Sequence, residues 1–227
     1  MNASALPPPA EPDQGALRAA IVTTANALTH ARLNHGAAGN VSARTATGML
    51  ITPSGLPAER MLGDDIAHVA ANGTASGRLA PSSEWRFHAD LYAHRPEAGA
   101  IIHTHAPFAT ALACQRIEIP PFHYMIARFG GTSVRCARYA TFGTQALSDH
   151  IVAAIAGRSA CLIANHGMLV FGPDLEHALA AAIEFESLCE QYWRTLQLGP
   201  PVCLSSDEMA EVIEKFRWYG RPQDSGD

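Results

Sequence analysis

The densest chemistry in the chain is the run Ile101-Ile102-His103-Thr104-His105. On a strand, residues two apart face the same way, so both imidazoles could reach one ion at about 2.0–2.1 Å. A third histidine, His166, follows the apolar run Leu162-Ile163-Ala164. Three imidazoles on strand ends leave one coordination position open, the pattern of a catalytic rather than a closed structural zinc site. Spacing alone does not join His166 to the pair, and ordinary polar residues at a strand end explain His103 and His105 as well. A second cluster is Pro81-Ser82-Ser83-Glu84, two hydroxyls and a carboxylate where a helix begins. Free backbone N–H groups behind the hydroxyls make an anion site there, and the helix dipole favours Glu84 in the first turn. Plain capping by Ser83 is the alternative. Two turns, Gly39-Asn40-Val41-Ser42 and Thr52-Pro53-Ser54-Gly55, let backbone amides approach a phosphate, or simply connect strands. Tyr124 and Tyr219 are proton donors or packing residues. The remaining histidines, His88 among them, show no partner pattern and read as surface or satisfied polar residues.

These groups need a frame. Apolar residues at helical spacing (Leu17, Ile21, Thr24, Leu28) predict a helix over 13–33, with Gly36 as its stop. Short β-like runs follow at 40–44, 49–52 and 66–70, broken by Pro53, Gly55 and Pro57. A helix is expected from the Ser83–Glu84 region to about His94, a strand over 99–103, and a helix from Pro107. Helices over 143–156 and 174–196 flank a buried strand at 160–164, and a last helix spans 206–218. Helices and strands are mixed rather than strictly alternating. The fold class is therefore α/β with a mixed central sheet and helices on its faces. Residues 1–12 read as a disordered tail, 13–220 as one domain and 221–227 as a polar tail.

Composition narrows the function. The chain has 227 residues, a net charge of −5 and no basic stripe, which argues against a nucleic-acid partner. No apolar run approaches a membrane span, and the Ala/Pro-rich start lacks the features of a signal peptide. A cytoplasmic protein is expected. Charged residues make up 16%, against a usual fraction of about 25%, which points to an oligomer that hides part of its surface. The five cysteines contain no CxxC and read as small buried apolar residues.

Taken in order, five runs resemble the class II aldolase family, which includes the adducin heads, and its fuculose-phosphate branch most of all. They are Ala38–Ser42, Gly48–Pro53, Pro81–His88, His123–Ala127 and Tyr139–Thr144, and the resemblance extends from about Ala16 to Gly220. It implies a largely antiparallel sheet between two helix layers, assembled as a C4 homotetramer with active sites at subunit interfaces. His103, His105 and His166 would hold one Zn²⁺ per subunit, with Mn²⁺ or Co²⁺ as substitutes. Gly39, Asn40, Ser54, Gly55, Ser82 and Ser83 would surround a substrate phosphate, and Phe142 would line the site. Glu84 would be the acid/base residue. Tyr124 would stand over the site as a proton donor, and Tyr219 would act at a neighbouring subunit. The expected reaction is reversible cleavage of a ketose 1-phosphate, L-fuculose 1-phosphate first, into dihydroxyacetone phosphate and an aldehyde such as lactaldehyde. Deoxypentulose and methylthiopentulose phosphates are rival substrates. Epimerases, dehydratases and decarboxylases of sugar phosphates share the resemblance, and a non-catalytic adducin-like module is the remaining reading. The only lysine, Lys215, falls in the terminal helix, so a Schiff-base route is poorly supported.

Overall fold

Short runs that are largely apolar without alternation must be covered on both sides, and this chain has several. In the computed structural model, which describes residues 14–218, the runs Ala100–Thr104, Ala160–Ile163 and Gly167–Gly172 are buried at every residue. Tyr219 and the expected tails at 1–12 and 221–227 lie outside the described residues.

The elements follow in the order α1 (Gln14–His30), β1 (Asn40–Thr45), β2 (Gly48–Ile51), β3 (Ala67–Ala70), β4 (Ala75–Ser76), α2 (Trp85–His94) and β5 (Ala100–Thr104). Then come α3 (Pro107–Cys114), β6 (Cys136–Ala137), α4 (Gln145–Ala154), β7 (Ala160–Ile163), β8 (Gly167–Gly172), α5 (Leu175–Leu196) and α6 (Ser206–Trp218). Among the described residues, the strands form one eight-stranded sheet in the order β4-β3-β2-β1-β5-β8-β7-β6. It is antiparallel except between β6 and β7.

Period-two alternation sorts the side chains into two cores. Val41, Ile102, Leu162 and Val170 point to one face and pack with Ile21, Leu28, Leu112, Phe185 and Met209 from α1, α3, α5 and α6. Met49, Ile51, Ile101, Ile163 and Leu169 point to the other and pack with Phe87, Leu91, Leu147 and Ile151 from α2 and α4. The result is three layers, helix–sheet–helix, as the family resemblance implies.

Several boundaries differ from expectation for local reasons. The first helix ends at His30, before Gly36, because Arg32 takes the left-handed conformation (φ 62°) and Leu33 N–H closes back onto Leu28 O at 2.9 Å. The helix expected over 143–156 begins at Gln145, where the Thr144 hydroxyl accepts from Leu147 N–H. Pro107 opens α3 at its first position. Strand β8 was not expected, nor were the two-residue strands β4 and β6. Cys161 and Cys189 are buried as expected, but Cys114 and Cys203 are exposed and Cys136 is half-buried; all five are free thiols. Among the described residues no helix is long and apolar enough to cross a membrane.

Candidate functional site

The sheet brings the three histidines together. Asn40 at the start of β1 stands opposite His103 on β5, and β5 pairs with β8 so that Thr104 faces Met168. The tight turn between β7 and β8 carries His166 back to the end of β5. Its Asn165 is left-handed (φ 54°), and its side-chain oxygen accepts from Arg116 Nε at 2.7 Å. The ligand atoms of His103, His105 and His166 all lie within 4.8 Å of one another. His103 Nε2 and His105 Nε2 are 3.1 Å apart.

The protonation pattern suits a cation. Met168 O can only accept, so His103 Nδ1, 2.8 Å away, carries the proton, and Nε2 turns its lone pair to the cluster. Burial, then the neighbouring His105 charge, pushes His103 down to about 3. Burial, then His103, pushes His166 down to about 4, and burial also lowers His105. The imidazoles are thus neutral near pH 7. The Glu84 carboxylate adds two more electron-rich atoms: Oε2 lies 3.3 Å from His103 Nε2 and Oε1 3.2 Å from His166 Nε2. Oε1 is buried and makes no hydrogen bond despite that contact. A buried carboxylate oxygen without a donor, set against the imidazole cluster, fits a divalent metal ion held by three neutral imidazoles.

Glu84 is held by a polar stripe. It is the N-cap residue of α2 rather than part of its first turn, and its side chain caps no helix amide. Instead Asn40 Nδ2 donates to Glu84 Oε2 at 2.9 Å and to Ser82 Oγ at 3.0 Å. One helical turn further on, His88 Nε2 meets Asn40 Oδ1 at 2.5 Å, and His88 Nδ1 meets Ser42 Oγ at 2.7 Å. Another turn on, Tyr92 OH lies 2.9 Å from Ser42 Oγ. Glu84, His88 and Tyr92 thus form an i, i+4, i+8 stripe on α2 against Asn40 and Ser42, two apart on β1.

The hydroxyl-rich segments border the same cleft. Ser54 N–H donates to Ala80 O at 3.1 Å and Ser82 N–H to Thr52 O at 3.0 Å, lacing the two turns together. Gly39, Asn40, Ser54, Gly55, Ser82, Ser83, Glu84, His105, His166 and Phe142 line one cleft. His103 lies buried at its floor, with Phe87 edge-on to its ring at 5.6 Å.

Tyr124 is the departure. It does not stand over the cleft of its own chain. It lines a separate apolar groove with Met125, Arg128, Val212, Lys215 and Phe216, its ring stacked on Phe216. The 3-10 turn that carries it, Tyr124–Phe129, packs against α6. Lys215 also lies in that groove, away from the cleft, and pairs with Glu211 at 2.8 Å. Sequence reasoning missed four supporting residues. His88 is satisfied but fully buried, Ser42 and Tyr92 complete its stripe, and Asn34 Oδ1 accepts from His105 N–H at 3.3 Å. The repeat of polar residues at spacing four from Glu84 was a legible signal for the stripe; Asn34 had none.

Fold and site together define a class: the chain belongs to the Class II Aldolase and Adducin N-terminal domain family, whose sequence profile matches residues 19–193. It is a lyase of the class II aldolase type. Among its relatives, a 5-methylthioribulose-1-phosphate/5-deoxyribulose-1-phosphate aldolase of Rhodospirillum rubrum is 51% identical over 90% of this chain and 93% of its own length. An L-fuculose phosphate aldolase of Escherichia coli is 46% identical over 88% of this chain and 94% of its own. A solved L-fuculose 1-phosphate aldolase superposes with a TM-score of 0.86 at 37% identity, covering 89% of this chain and 96% of that one.

Proposed function

We propose that the protein is a divalent-metal-dependent aldolase that cleaves a ketopentose 1-phosphate, 5-deoxy or 5-methylthio at its far end, into dihydroxyacetone phosphate and the matching short aldehyde. The observation that carries the reaction class is the meeting of one buried carboxylate with three neutral imidazoles in a cleft rimmed by serine hydroxyls. The substrate reading shifts from the fuculose phosphate expected from sequence toward the deoxypentulose and methylthiopentulose phosphates. It is supported by the names of the Rhodospirillum rubrum relative and of a 35% identical 5-deoxy-D-ribulose 1-phosphate aldolase of Bacillus thuringiensis.

Breaking the C3–C4 bond leaves negative charge beside the ketone carbonyl. His103, His105 and His166 would hold a divalent ion, Zn²⁺ or in its place Mn²⁺ or Co²⁺, which would supply Lewis-acid stabilisation of that charge. Glu84 moves the proton at the nucleophilic carbon, where its unbonded Oε1 is free to accept it. Ser82, Ser83 and Ser54, with the amides of Gly39 and Gly55, grip the phosphate and fix its orientation, and Asn40 holds Ser82 in place for it. Phe142 borders the opening. Tyr124, outside its own cleft, holds the proton at the aldehyde oxygen in the cleft of a neighbouring copy, and Tyr219 acts there too. This reading requires an oligomer, a C4 homotetramer with sites at its interfaces. It places the enzyme in the cytoplasm, where its free thiols stay reduced.

The test is to load the full-length chain with Zn²⁺, Mn²⁺ or Co²⁺ and supply dihydroxyacetone phosphate with acetaldehyde, methylthioacetaldehyde or lactaldehyde. The expected result is a ketose 1-phosphate formed fastest with one of the first two. A preference for lactaldehyde restores the fuculose reading, and no ketose phosphate from any aldehyde overturns the aldolase assignment.

A further inference from the structure

The polar stripe between α2 and β1 has a direction. The Glu84 carboxylate can only accept, so the atom Asn40 turns to it is the amide nitrogen, and the amide oxygen faces away. That oxygen is 2.5 Å from His88 Nε2, which must therefore carry a proton. Burial, then the nearby His103 charge, holds His88 well below its ordinary value, so the ring is neutral and its Nδ1 is bare. Ser42 then donates its hydroxyl proton to Nδ1 at 2.7 Å and accepts from Tyr92 OH at 2.9 Å. The Arg44 guanidinium lies over the Tyr92 ring at 4.6 Å and donates to Tyr92 O, anchoring the far end. Each group has one consistent role: Tyr92 to Ser42, Ser42 to His88, His88 to Asn40, Asn40 to Glu84 and Ser82.

We propose that His88 is a positioning residue: its Nε2–H fixes the Asn40 amide with the NH₂ turned to Glu84 and Ser82, and so holds the acid/base carboxylate and the phosphate-side hydroxyl in one geometry. An unpinned primary amide turns over readily. Turned over, Asn40 would set its oxygen against Glu84 Oε2, two acceptors about 2.9 Å apart in a buried site, which is strongly unfavourable. The amide also interrupts any path for proton hopping, since it does not pass a proton from one side to the other. The stripe therefore orients groups rather than feeding protons to Glu84. This inference rests on the reading of Glu84 and Asn40 given above.

The experiment uses the full-length, metal-loaded enzyme. The tautomer of His88 is read first, from nitrogen shifts of histidine-labelled protein. Nε2–H with bare Nδ1 is expected, and the opposite tautomer overturns the proposal. Next, ketose 1-phosphate cleavage is measured in His88→Leu, His88→Gln, Asn40→Ala and the Asn40→Ala/His88→Leu pair, with metal content and melting temperature recorded for each. His88→Leu should lower kcat/KM by about a hundredfold at full metal content, as expected for a mispositioned group. His88→Gln keeps an N–H toward Asn40 and should recover most of that loss, which serves as the second variant if Leu prevents folding. Because His88 acts through Asn40, the double variant should match Asn40→Ala alone within about twofold. Additive losses, or a fully active His88→Leu, overturn the proposal. A wild-type chain that cleaves no ketose phosphate refutes the functional reading instead, and the tautomer still decides the orientation of the amide.

Discussion

Two glycines of the cleft share a backbone conformation and differ in their surroundings, which makes a matched test. Gly39 has φ 73° and Gly55 φ 71°. Either becomes strained as alanine, by about 1–2 kcal/mol for the left-handed backbone. A Cβ on Gly55 meets nothing within 4 Å, whereas one on Gly39 falls 2.5 Å from the Asn34 amide and 2.6 Å from His103 O. The backbone oxygen must recede by about 0.8 Å to reach ordinary contact, and overpacking of this kind adds about 1–3 kcal/mol. Gly39→Ala should then lose about 2–5 kcal/mol against about 1–2 for Gly55→Ala, or roughly 4–20 °C against 2–8 °C in melting temperature for a chain of this size. The clash lies where Asn34 holds His105 N–H and where His103 leaves β5, so the loss extends to the site. Turnover of Gly39→Ala should fall by about a hundredfold, the cost of a displacement near 1 Å. Calorimetry of both variants, with kcat/KM and metal content of Gly39→Ala, checks this. Equal melting temperatures for the two variants, or wild-type turnover in Gly39→Ala, would refute the reasoning.

Glu84→Gln keeps the bulk and a partner for Asn40 but removes the proton acceptor. It should bind metal normally while slowing hydrogen exchange at the nucleophilic carbon of dihydroxyacetone phosphate in deuterated water by about 10²–10⁴-fold; exchange at the wild-type rate would remove Glu84 from that role. The metal-stripped chain should be acid-sensitive. His103 and His166 stay neutral when folded, down to about 3 and 4, but bind protons below about 6.5 once unfolded. The unfolded state then binds more protons, so stability is full above about pH 6.5 and falls, on the order of a few kcal/mol, as pH drops toward 4. Urea midpoints from pH 7.5 to 4.5 test the sign, and a midpoint that rises on acidification contradicts the buried-neutral assignment.

Local signals carried much of the fold. Pro107, the Ser206 start and the Asp13–Leu33 periodicity marked helices because capping and apolar spacing are local, although the first helix stops at His30. Strand β8 escaped because Gly167–Gly172 is a short apolar run between glycines, and only its pairing with β5 and β7 makes it a strand. The site divides the same way. His103 and His105 were legible as a pair since strand geometry alone aims them together. His166 joined them through the resemblance, and its place is fixed by the turn between β7 and β8. His88 and Ser42 lie 46 residues apart in the chain, and Asn34 and His105 lie 71 apart, so only the docking of α2 and of the segment after α1 onto the sheet reveals those bonds. Tyr124 lies on a turn that packs against α6, its ring stacked on Phe216, and a short motif carries no information about such packing.

The eight-stranded sheet ends at both sides on strands of two residues, β4 and β6. A free sheet edge is a template for another chain, and the hazard grows with the length of ladder left open. Here each edge strand is only two residues long, and β4 is exposed at both. The broad sheet is thereby poorly suited to growth by strand addition, which guards it against edge-to-edge aggregation.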